Sequence, residues 1–187
     1  MKYLIIGLGN PGDKYLNTRH NIGFKIIDSL ASLSAVSFST EKLVEYTEIK
    51  YRGRTLLLIK PNTFMNLSGK AVLYWMKNAK VKEGNILVIS DDIALPYGTL
   101  RIRHKGSNGG HNGLRDIENF LGHTNYPRLR FGVGNNFLKG GQAEYVLSDF
   151  SKEENKILQD RIEMSINIVY NFVTKGIIRT MSDFNGK

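Results

Sequence analysis

Apolar and polar positions follow two different rhythms along this chain. Short apolar runs and period-two alternation predict strands at residues 3–8, 44–51, 54–60, 86–90, 99–103 and 128–133. Apolar residues spaced three and four apart predict helices within residues 21–33, 67–80 and 114–121. The two strands on either side of Arg52-Gly53 are typical of a β-hairpin. Because strands and helices interleave without repeats or linkers, the pattern predicts one α/β domain on a mixed sheet, over residues 1–187.

The last helix has the clearest signals. Ser151 and Glu154 fit a capping box at its start, and Gly176 is placed to end it. Between these residues an apolar stripe recurs at helical spacing, formed by Leu158, Ile162, Ile166, Val169 and Val173. The spacing predicts one long amphipathic helix near the end of the chain.

Composition narrows the class of protein. The chain has 187 residues, of which 41% are hydrophobic and 23% charged, so a wholly disordered or fibrous protein is excluded. It has no cysteine, which excludes disulfides, thiolate metal sites and a cysteine nucleophile and agrees with a cytoplasmic location. No apolar run is long enough to span a membrane, and the first residues are expected to form a strand rather than a secretion signal.

The charge balance points to an acidic partner. Lys and Arg number 26 against 17 Asp and Glu, giving a formal net charge of +9. An excess of this size favours a polyanion through phosphate contacts and counterion release, although a merely soluble basic protein has the same total. The distribution favours a binding face, because residues 101–139 carry only two acids, Asp116 and Glu118. The same stretch has seven basic residues: Arg101, Arg103, Lys105, Arg115, Arg128, Arg130 and Lys139.

The turn after the first strand, residues 7–12, formally matches G-x-G-x-x-G. A dinucleotide site needs a helix that opens at this loop, whereas Pro11 removes an amide and helical periodicity begins only near Asn21. The interpretation of the chain as a nucleotide-dependent oxidoreductase would depend on this motif alone. The alternatives are a strained glycine turn, or a turn that presents Asn10, whose side chain can donate and accept hydrogen bonds.

His20 and the pair Asp91-Asp92 are candidates for acid–base chemistry. His20 lies at the start of the first helix, and the two acids follow a buried strand, at the edge where open α/β sheets bind ligands. A carboxylate could orient the ring of His20 and fix its tautomer. Chain order does not show that these residues meet, and the alternative for Asp91-Asp92 is a solvated turn before Pro96.

The segment 63–70 lies between a strand and a helix. Phe64 and Met65 are expected to be exposed there, and Phe64 could stack on a base. The alternative is a plain capping loop with Asn66 or Ser68 as the N-cap.

A second loop, residues 106–113, has four glycines in eight residues and directly follows a basic strand. Such a loop lets the backbone approach a ligand closely, and the helix start behind it is a candidate phosphate seat. The alternative is a flexible surface loop. His104 and His111 have no carboxylate nearby in the sequence, so no metal site is predicted.

Taken together and in order, these motifs resemble bacterial peptidyl-tRNA hydrolase over nearly the whole chain. The matching blocks are Gly7-Leu8-Gly9-Asn10-Pro11-Gly12, Tyr15, Thr18-Arg19-His20-Asn21, Pro61, Thr63-Phe64-Met65-Asn66-Leu67-Ser68-Gly69, Asp91-Asp92, Leu95-Pro96, Gly98, Gly109-Gly110-His111-Asn112-Gly113-Leu114, Arg128-Leu129-Arg130, Gly132-Val133-Gly134 and Tyr145-Val146-Leu147. The family hydrolyses the ester between a peptide and the 3′ end of tRNA and so recycles tRNA from peptides released early from ribosomes.

The resemblance implies a role for particular residues. His20 is expected to be the general base, Asp91 to orient it, and Asn10 to distinguish a blocked α-amino group from a free one. The positions expected to hold the 3′ CCA end and the peptide are Tyr15, Phe64, Met65, Asn66, His111 and Asn112. The positions expected to bind tRNA phosphates are Arg101, Arg103 and Arg130, with arginine at the first two where lysine is common in the family.

The resemblance also implies a twisted mixed sheet flanked by helices, a monomer, no cofactor and no membrane association. The chemistry agrees, since an ester is already activated and one base, one acid and a few amides could suffice. The main rival from another class is a non-catalytic RNA-binding module on the same basic face. That module would explain the charge and Phe64 but would leave His20 and Asp91 without a role.

Overall fold

The computed structural model describes all 187 residues. Seven strands form one sheet: β1 Lys2–Gly7, β2 Ser39–Glu41, β3 Val44–Tyr51, β4 Arg54–Pro61, β5 Ile86–Asp92, β6 Leu100–Arg103 and β7 Arg128–Gly132. Six α-helices surround it: α1 Ile22–Leu33, α2 Ser68–Asn78, α3 Asn112–Leu121, α4 Gln142–Val146, α5 Lys152–Lys175 and α6 Ile177–Phe184. None of these helices combines the length and the apolar composition that a membrane crossing requires.

All six predicted strands and all four predicted helices are confirmed within a few residues of their expected ends. Three elements were missed: the strand Ser39–Glu41 and the helices Gln142–Val146 and Ile177–Phe184. The first two have three and five residues, too few for periodicity to show. The third begins at Ile177, directly after Gly176, which ends α5 as predicted.

The sheet is mixed, as predicted, with strand order β2-β3-β4-β1-β5-β7-β6. Its centre is parallel, because β1 pairs with β4 and β5, and β5 pairs with β7. The edges are antiparallel, with the β3–β4 hairpin on one side and β6 against β7 on the other. The fold class predicted from the sequence, a single α/β domain with helices around a mixed sheet, is therefore confirmed.

Each face of the sheet has its own apolar core. On β1, Tyr3 and Ile5 face one core while Leu4 and Ile6 face the other, which explains why this strand is an almost continuous apolar run. The first core is closed by α1 and α5, and the second by α2 and α3. The carboxyl ends of β1 and β5 lie side by side between these layers.

The glycines at and just after the end of β1 allow close packing. A Cβ on Gly7 would lie 2.3 Å from the carbonyl oxygen of Gly23, and one on Gly9 would lie 2.7 Å from the ring of Phe24. These glycines let α1 lie directly against the end of β1. The chain then forms a 3-10 turn, Asp13–Tyr15, so no helix opens at the loop and the dinucleotide interpretation has no structural basis.

Candidate active site

A cavity of about 590 Å³ opens at the carboxyl ends of β1 and β5. All the site residues expected from the sequence line it except Arg101 and Arg103: the ten are Asn10, Tyr15, His20, Phe64, Met65, Asn66, Asp91, His111, Asn112 and Arg130. They come from segments that are far apart in the chain, and the parallel strands bring these segments to one edge of the sheet.

His20 and Asp91 are in direct contact. The Nδ1 atom of His20 lies 2.9 Å from each carboxylate oxygen of Asp91. Because an ionised carboxylate only accepts hydrogen bonds, Nδ1 carries the proton and Nε2 keeps its lone pair. Nε2 has no hydrogen-bond partner in the protein, and the ring lines the cavity. Asp91 is 4% exposed, so the alternative of a solvated turn is wrong for this residue, which belongs to β5.

The two groups stabilise each other's charged forms. Burial lowers the pKa of His20, but the negative charge of Asp91 and the hydrogen bond to it outweigh burial and raise this pKa above its ordinary value. Burial raises the pKa of Asp91, but the charges and hydrogen bonds of His20 and His111 outweigh it and hold this pKa well below its usual range. Asp91 is therefore a carboxylate at neutral pH, able to support an imidazolium on His20.

His111 also binds Asp91, which corrects the expectation that it lacks a carboxylate. Its Nε2 lies 2.8 Å from Asp91 Oδ1. The two residues are 20 positions apart in the chain, and β5 brings the carboxylate to the start of α3. The Nδ1 atom of His111 accepts hydrogen bonds from the amides of Gly113 and Leu114, so His111 is the N-cap of α3.

The capping role of His111 determines which of its ring nitrogens carries the proton. Because Nδ1 accepts from two amides, the ring proton stands on Nε2 and is donated to Asp91. His20, Asp91 and His111 offer three donor atoms within 4.8 Å of one another, a spacing that could hold a metal ion. A metal would need the lone pair of His111 Nε2, however, and the cap of α3 keeps a proton there. The donor set therefore fits a hydrogen-bond network better than a metal site.

Asn10 is fixed from both sides. Its Oδ1 accepts from the amide of Met65 at 2.7 Å, and its backbone exchanges two hydrogen bonds of 2.9 Å with the side chain of Asn21. Only its Nδ2 group has no partner in the protein. The sequence allowed Asn10 either to donate or to accept, and the structure leaves it as a donor toward the cavity.

The segment before α2 differs from expectation in two respects. Met65 is 4% exposed and packs in the core, whereas Phe64 is 56% exposed at the cavity rim. Neither Asn66 nor Ser68 caps α2, whose N-cap is Leu67. The amide of Gly69 is bound instead by Asp116 Oδ2 at 2.7 Å, from α3. The side chain of Asn66 therefore does not cap α2, and it lines the cavity together with Asn112, the first residue of α3.

The four arginines of β6 and β7 have three different environments. Arg101 and Arg103 are exposed on the edge strand β6, outside the cavity. Arg130 lines the cavity and is held by Asp92 at 3.3 Å and by the carbonyl of Ser107 at 2.6 Å. Arg128 is fully buried and binds Glu118, so it does not belong to a binding face as its place in the sequence suggested.

One wall of the cavity was not predicted. It consists of Gln142, Ala143 and Val146 of α4 and of Leu147, which follows this helix; these four residues are called the α4 wall below. The only signal in the sequence was the block Tyr145-Val146-Leu147, which the resemblance included without a role. Arg19, which binds the backbone of Tyr145 within α4, was likewise part of a motif without an assigned function.

Comparison with known proteins gives a consistent result. The family model described as Peptidyl-tRNA hydrolase matches residues 4–187. Proteins with that description from Cytophaga hutchinsonii and Bacteroides fragilis are 54% and 50% identical over 187 residues, the whole of each chain. The crystal structure of peptidyl-tRNA hydrolase from Acinetobacter baumannii has a TM-score of 0.92 at 31% identity, covering 98% of this chain and 94% of that chain. The similarity therefore includes every segment that contributes to the cavity.

Proposed function

The chain belongs to the peptidyl-tRNA hydrolase family, and from that premise we propose which of its residues perform the reaction. The reaction is hydrolysis of the ester that joins a peptide to the 3′ ribose of tRNA. The observation that carries the proposal is the hydrogen bond of 2.9 Å from His20 Nδ1 to Asp91, with Nε2 unpaired in the cavity. A ring held in this tautomer is ready to take a proton from a water molecule.

His20 acts as the general base. Its Nε2 accepts a proton from the attacking water while the oxygen of that water bonds to the ester carbonyl carbon. The imidazolium that forms is stabilised by the charge of Asp91, and the proton is then given to the 3′ oxygen of the leaving tRNA. General-base assistance is worth about 10²–10⁴-fold in rate. No covalent intermediate with the protein is needed.

Water attack places a negative charge on the carbonyl oxygen, which needs hydrogen-bond donors nearby. The amides of Gly113 and Leu114 are bound by His111, and the amide of Gly110 is bound by Asn108 Oδ1. The carboxamides of Asn66 and Asn112 line the cavity without partners in the protein. Their N–H groups are candidate oxyanion donors.

Asn10 accounts for selectivity toward a blocked α-amino group. Its Nδ2 donates to the carbonyl that the first peptide bond or an acetyl group adds to the substrate. A free α-ammonium has no such acceptor and would meet a donor in a partly dry pocket, where an unpaired charge is costly. Ordinary aminoacyl-tRNA is thereby spared.

The RNA binds at the rim of the cavity and along the neighbouring strand β6. Phe64 and Tyr15 offer rings on which bases of the CCA end stack, each worth about 1–3 kcal/mol. Arg130 in the cavity and Arg101 and Arg103 on β6 bind backbone phosphates. The substrate is peptidyl-tRNA that has left the ribosome, so that the cytoplasmic enzyme, acting as a monomer without a cofactor, returns tRNA to use.

The test is release of labelled peptide from N-acetylaminoacyl-tRNA by the purified protein without added cofactor. We expect release by the wild type and a loss of about 10²–10⁴-fold in His20→Ala, the size of general-base assistance. His123→Ala is the matched control, because His123 lies outside the cavity, beside Glu83. Binding of the tRNA without release would favour the RNA-binding module, and full turnover in His20→Ala would remove the base assignment.

A further inference from the structure

The α4 wall cannot be stable on its own. The helix α4 has only five residues, and isolated helices of this length do not form in water. Of the wall's four side chains only Val146 is buried, at 8% exposed, whereas Gln142, Ala143 and Leu147 are exposed, so burial of the wall's own side chains does not fix it alone. Its position over the cavity must therefore be set by contacts with neighbouring segments.

Arg19 supplies several of those contacts, through Tyr145 within α4 and Ser148 directly after the wall. Its guanidinium donates to the carbonyl oxygens of Tyr145 and Ser148, each at 3.3 Å, and lies 4.3 Å from the ring centre of Tyr145. The other edge of the guanidinium forms a two-pronged ion pair with Glu154 of α5, at 2.7 and 3.3 Å. The side chain is only 9% exposed.

The backbone next to Arg19 reinforces this connection. Its amide donates to the carbonyl of Ser148 at 3.1 Å, and Thr18 forms an isolated β-bridge with Asp149. Arg19 and His20 belong to the same 3-10 turn, Arg19–Asn21. The cavity wall and the catalytic ring thus share one anchor. Lysine cannot replace it, because an ammonium has no planar fork that can bind a carboxylate and two carbonyls together.

We propose that Arg19 is a positioning residue that fastens the α4 wall to the turn carrying His20, and that the affinity for peptidyl-tRNA depends on this fastening. The proposal rests on the function proposed above. Arg19 touches no substrate. It sets the width of the cavity beside the base, so that Ala143, Val146 and Leu147 meet the bound substrate without first having to be ordered. Binding then avoids the entropy cost of fixing the wall.

The experiment compares three variants with the wild type. Arg19→Lys keeps the charge but loses the fork, and Glu154→Gln removes the ion pair while keeping a residue suited to the capping box. Arg54→Lys is the matched control, since the guanidinium of Arg54 also binds backbone carbonyls, those of Arg52 and Thr174, but lines no part of the cavity. The measurements are KM and kcat for N-acetylaminoacyl-tRNA, the pH profile, and amide hydrogen exchange over residues 142–148.

In Arg19→Lys we expect KM to rise about tenfold, the effect of losing one or two charge-assisted hydrogen bonds, with a smaller change in kcat. Amide exchange over residues 142–148 should become faster, while the acid limb of the pH profile stays in place because His20 and Asp91 are untouched. Glu154→Gln should show the same changes in weaker form, and Arg54→Lys none of them.

Two results would overturn the proposal. One is unchanged amide exchange over residues 142–148 in Arg19→Lys. The other is a fall in kcat at constant KM, which would mean that Arg19 acts through His20 and not through the wall. The exchange measurement needs no catalysis, so it also decides the proposal if the wild-type protein binds N-acetylaminoacyl-tRNA without hydrolysing it.

Discussion

Asp91 is one carboxylate with two histidine partners, and each partner has a different task. His20 donates from Nδ1 and keeps Nε2 free, whereas His111 donates from Nε2 because its Nδ1 caps α3. Only His20 can therefore take a proton from the cavity side. The second hydrogen bond helps to hold Asp91 ionised, which keeps it able to support an imidazolium.

Replacing Asp91 by asparagine should change the pH dependence of the reaction. In the proposed mechanism the base acts when unprotonated, so we expect wild-type kcat/KM to rise with pH through the pKa of His20, which Asp91 raises above its ordinary value. Asp91→Asn removes the raising effects and leaves burial, which lowers this pKa. We expect the acid limb of kcat/KM to move to lower pH and the plateau to fall, though less than in His20→Ala. An acid limb that stays in place or moves upward contradicts the prediction.

Asn10→Asp should weaken the selection for a blocked substrate. The carboxylate can still accept from the Met65 amide, but it places an acceptor where Nδ2 donates, so it attracts an ammonium and repels an amide carbonyl. The measurement is the ratio of kcat/KM for N-acetylaminoacyl-tRNA and aminoacyl-tRNA. Asn171→Asp is the control, because Asn171 binds only within α5. A ratio that stays constant while both activities are measurable would leave Asn10 as a turn residue.

At the scale of the elements, the edge strand β6 is closed by the end of the chain. The side chain of Asn185, directly after α6, accepts from the Ile102 amide and donates to the Ile102 carbonyl, both at 2.9 Å. One asparagine thus replaces the neighbouring strand that β6 lacks, and it satisfies backbone groups that would otherwise favour pairing with another chain. Arg101 and Arg103 flank Ile102 and remain exposed.

Asn185→Ala should loosen this edge. Loss of two hydrogen bonds, each worth about 0.5–1.5 kcal/mol, lowers the free energy of unfolding and exposes the Ile102 amide to exchange. The measurements are the denaturant midpoint and the exchange rate of that amide, with Asn171→Ala as the control. Protection of the Ile102 amide equal to that in the wild type would show that the side-chain pairing does not close the strand.

At the scale of the whole molecule, basic side chains connect one edge of the sheet with the cavity. The basic strand β6 lies at one edge of the sheet, next to β7 and Arg130, whereas the β2–β3 edge lies on the opposite side. Charge on the β6 edge is continuous with the cavity through Arg130, which lines it. A polyanion that enters the cavity with one end can therefore lie along this edge with the rest.

Removal of single arginines should change the salt dependence of tRNA binding. In Arg101→Ala and Arg103→Ala the slope of log affinity against log salt should fall by about 1 each, while kcat is kept. Arg130→Ala should also lower kcat, since its guanidinium holds Asp92 and the loop at Ser107. Lys50→Ala on β3 is the control, 71% exposed at the far edge. An unchanged slope in all three arginine variants would place the tRNA elsewhere.

Much of this protein could be predicted from its sequence, because those features depend on local spacing. Neighbouring residues alone determine strand alternation, helical periodicity and the capping box of Ser151 with Glu154. These local patterns were enough to predict most helices and strands and the fold class. The ordered motifs were enough for the family and for a set of candidate residues. Short elements such as α4 were not predicted, because five residues are too few to show a periodic apolar pattern.

Only the tertiary structure decided which atoms these residues use. His111 was expected to lack a carboxylate partner, but β5 brings Asp91 into contact with it. Arg128 was expected to belong to a binding face, but it is buried and paired with Glu118. Asn10 could donate or accept until the amide of Met65, 55 residues away, occupied its oxygen. Hydrogen-bond roles depend on partners that distant segments bring within about 3 Å, and no local pattern contains that distance.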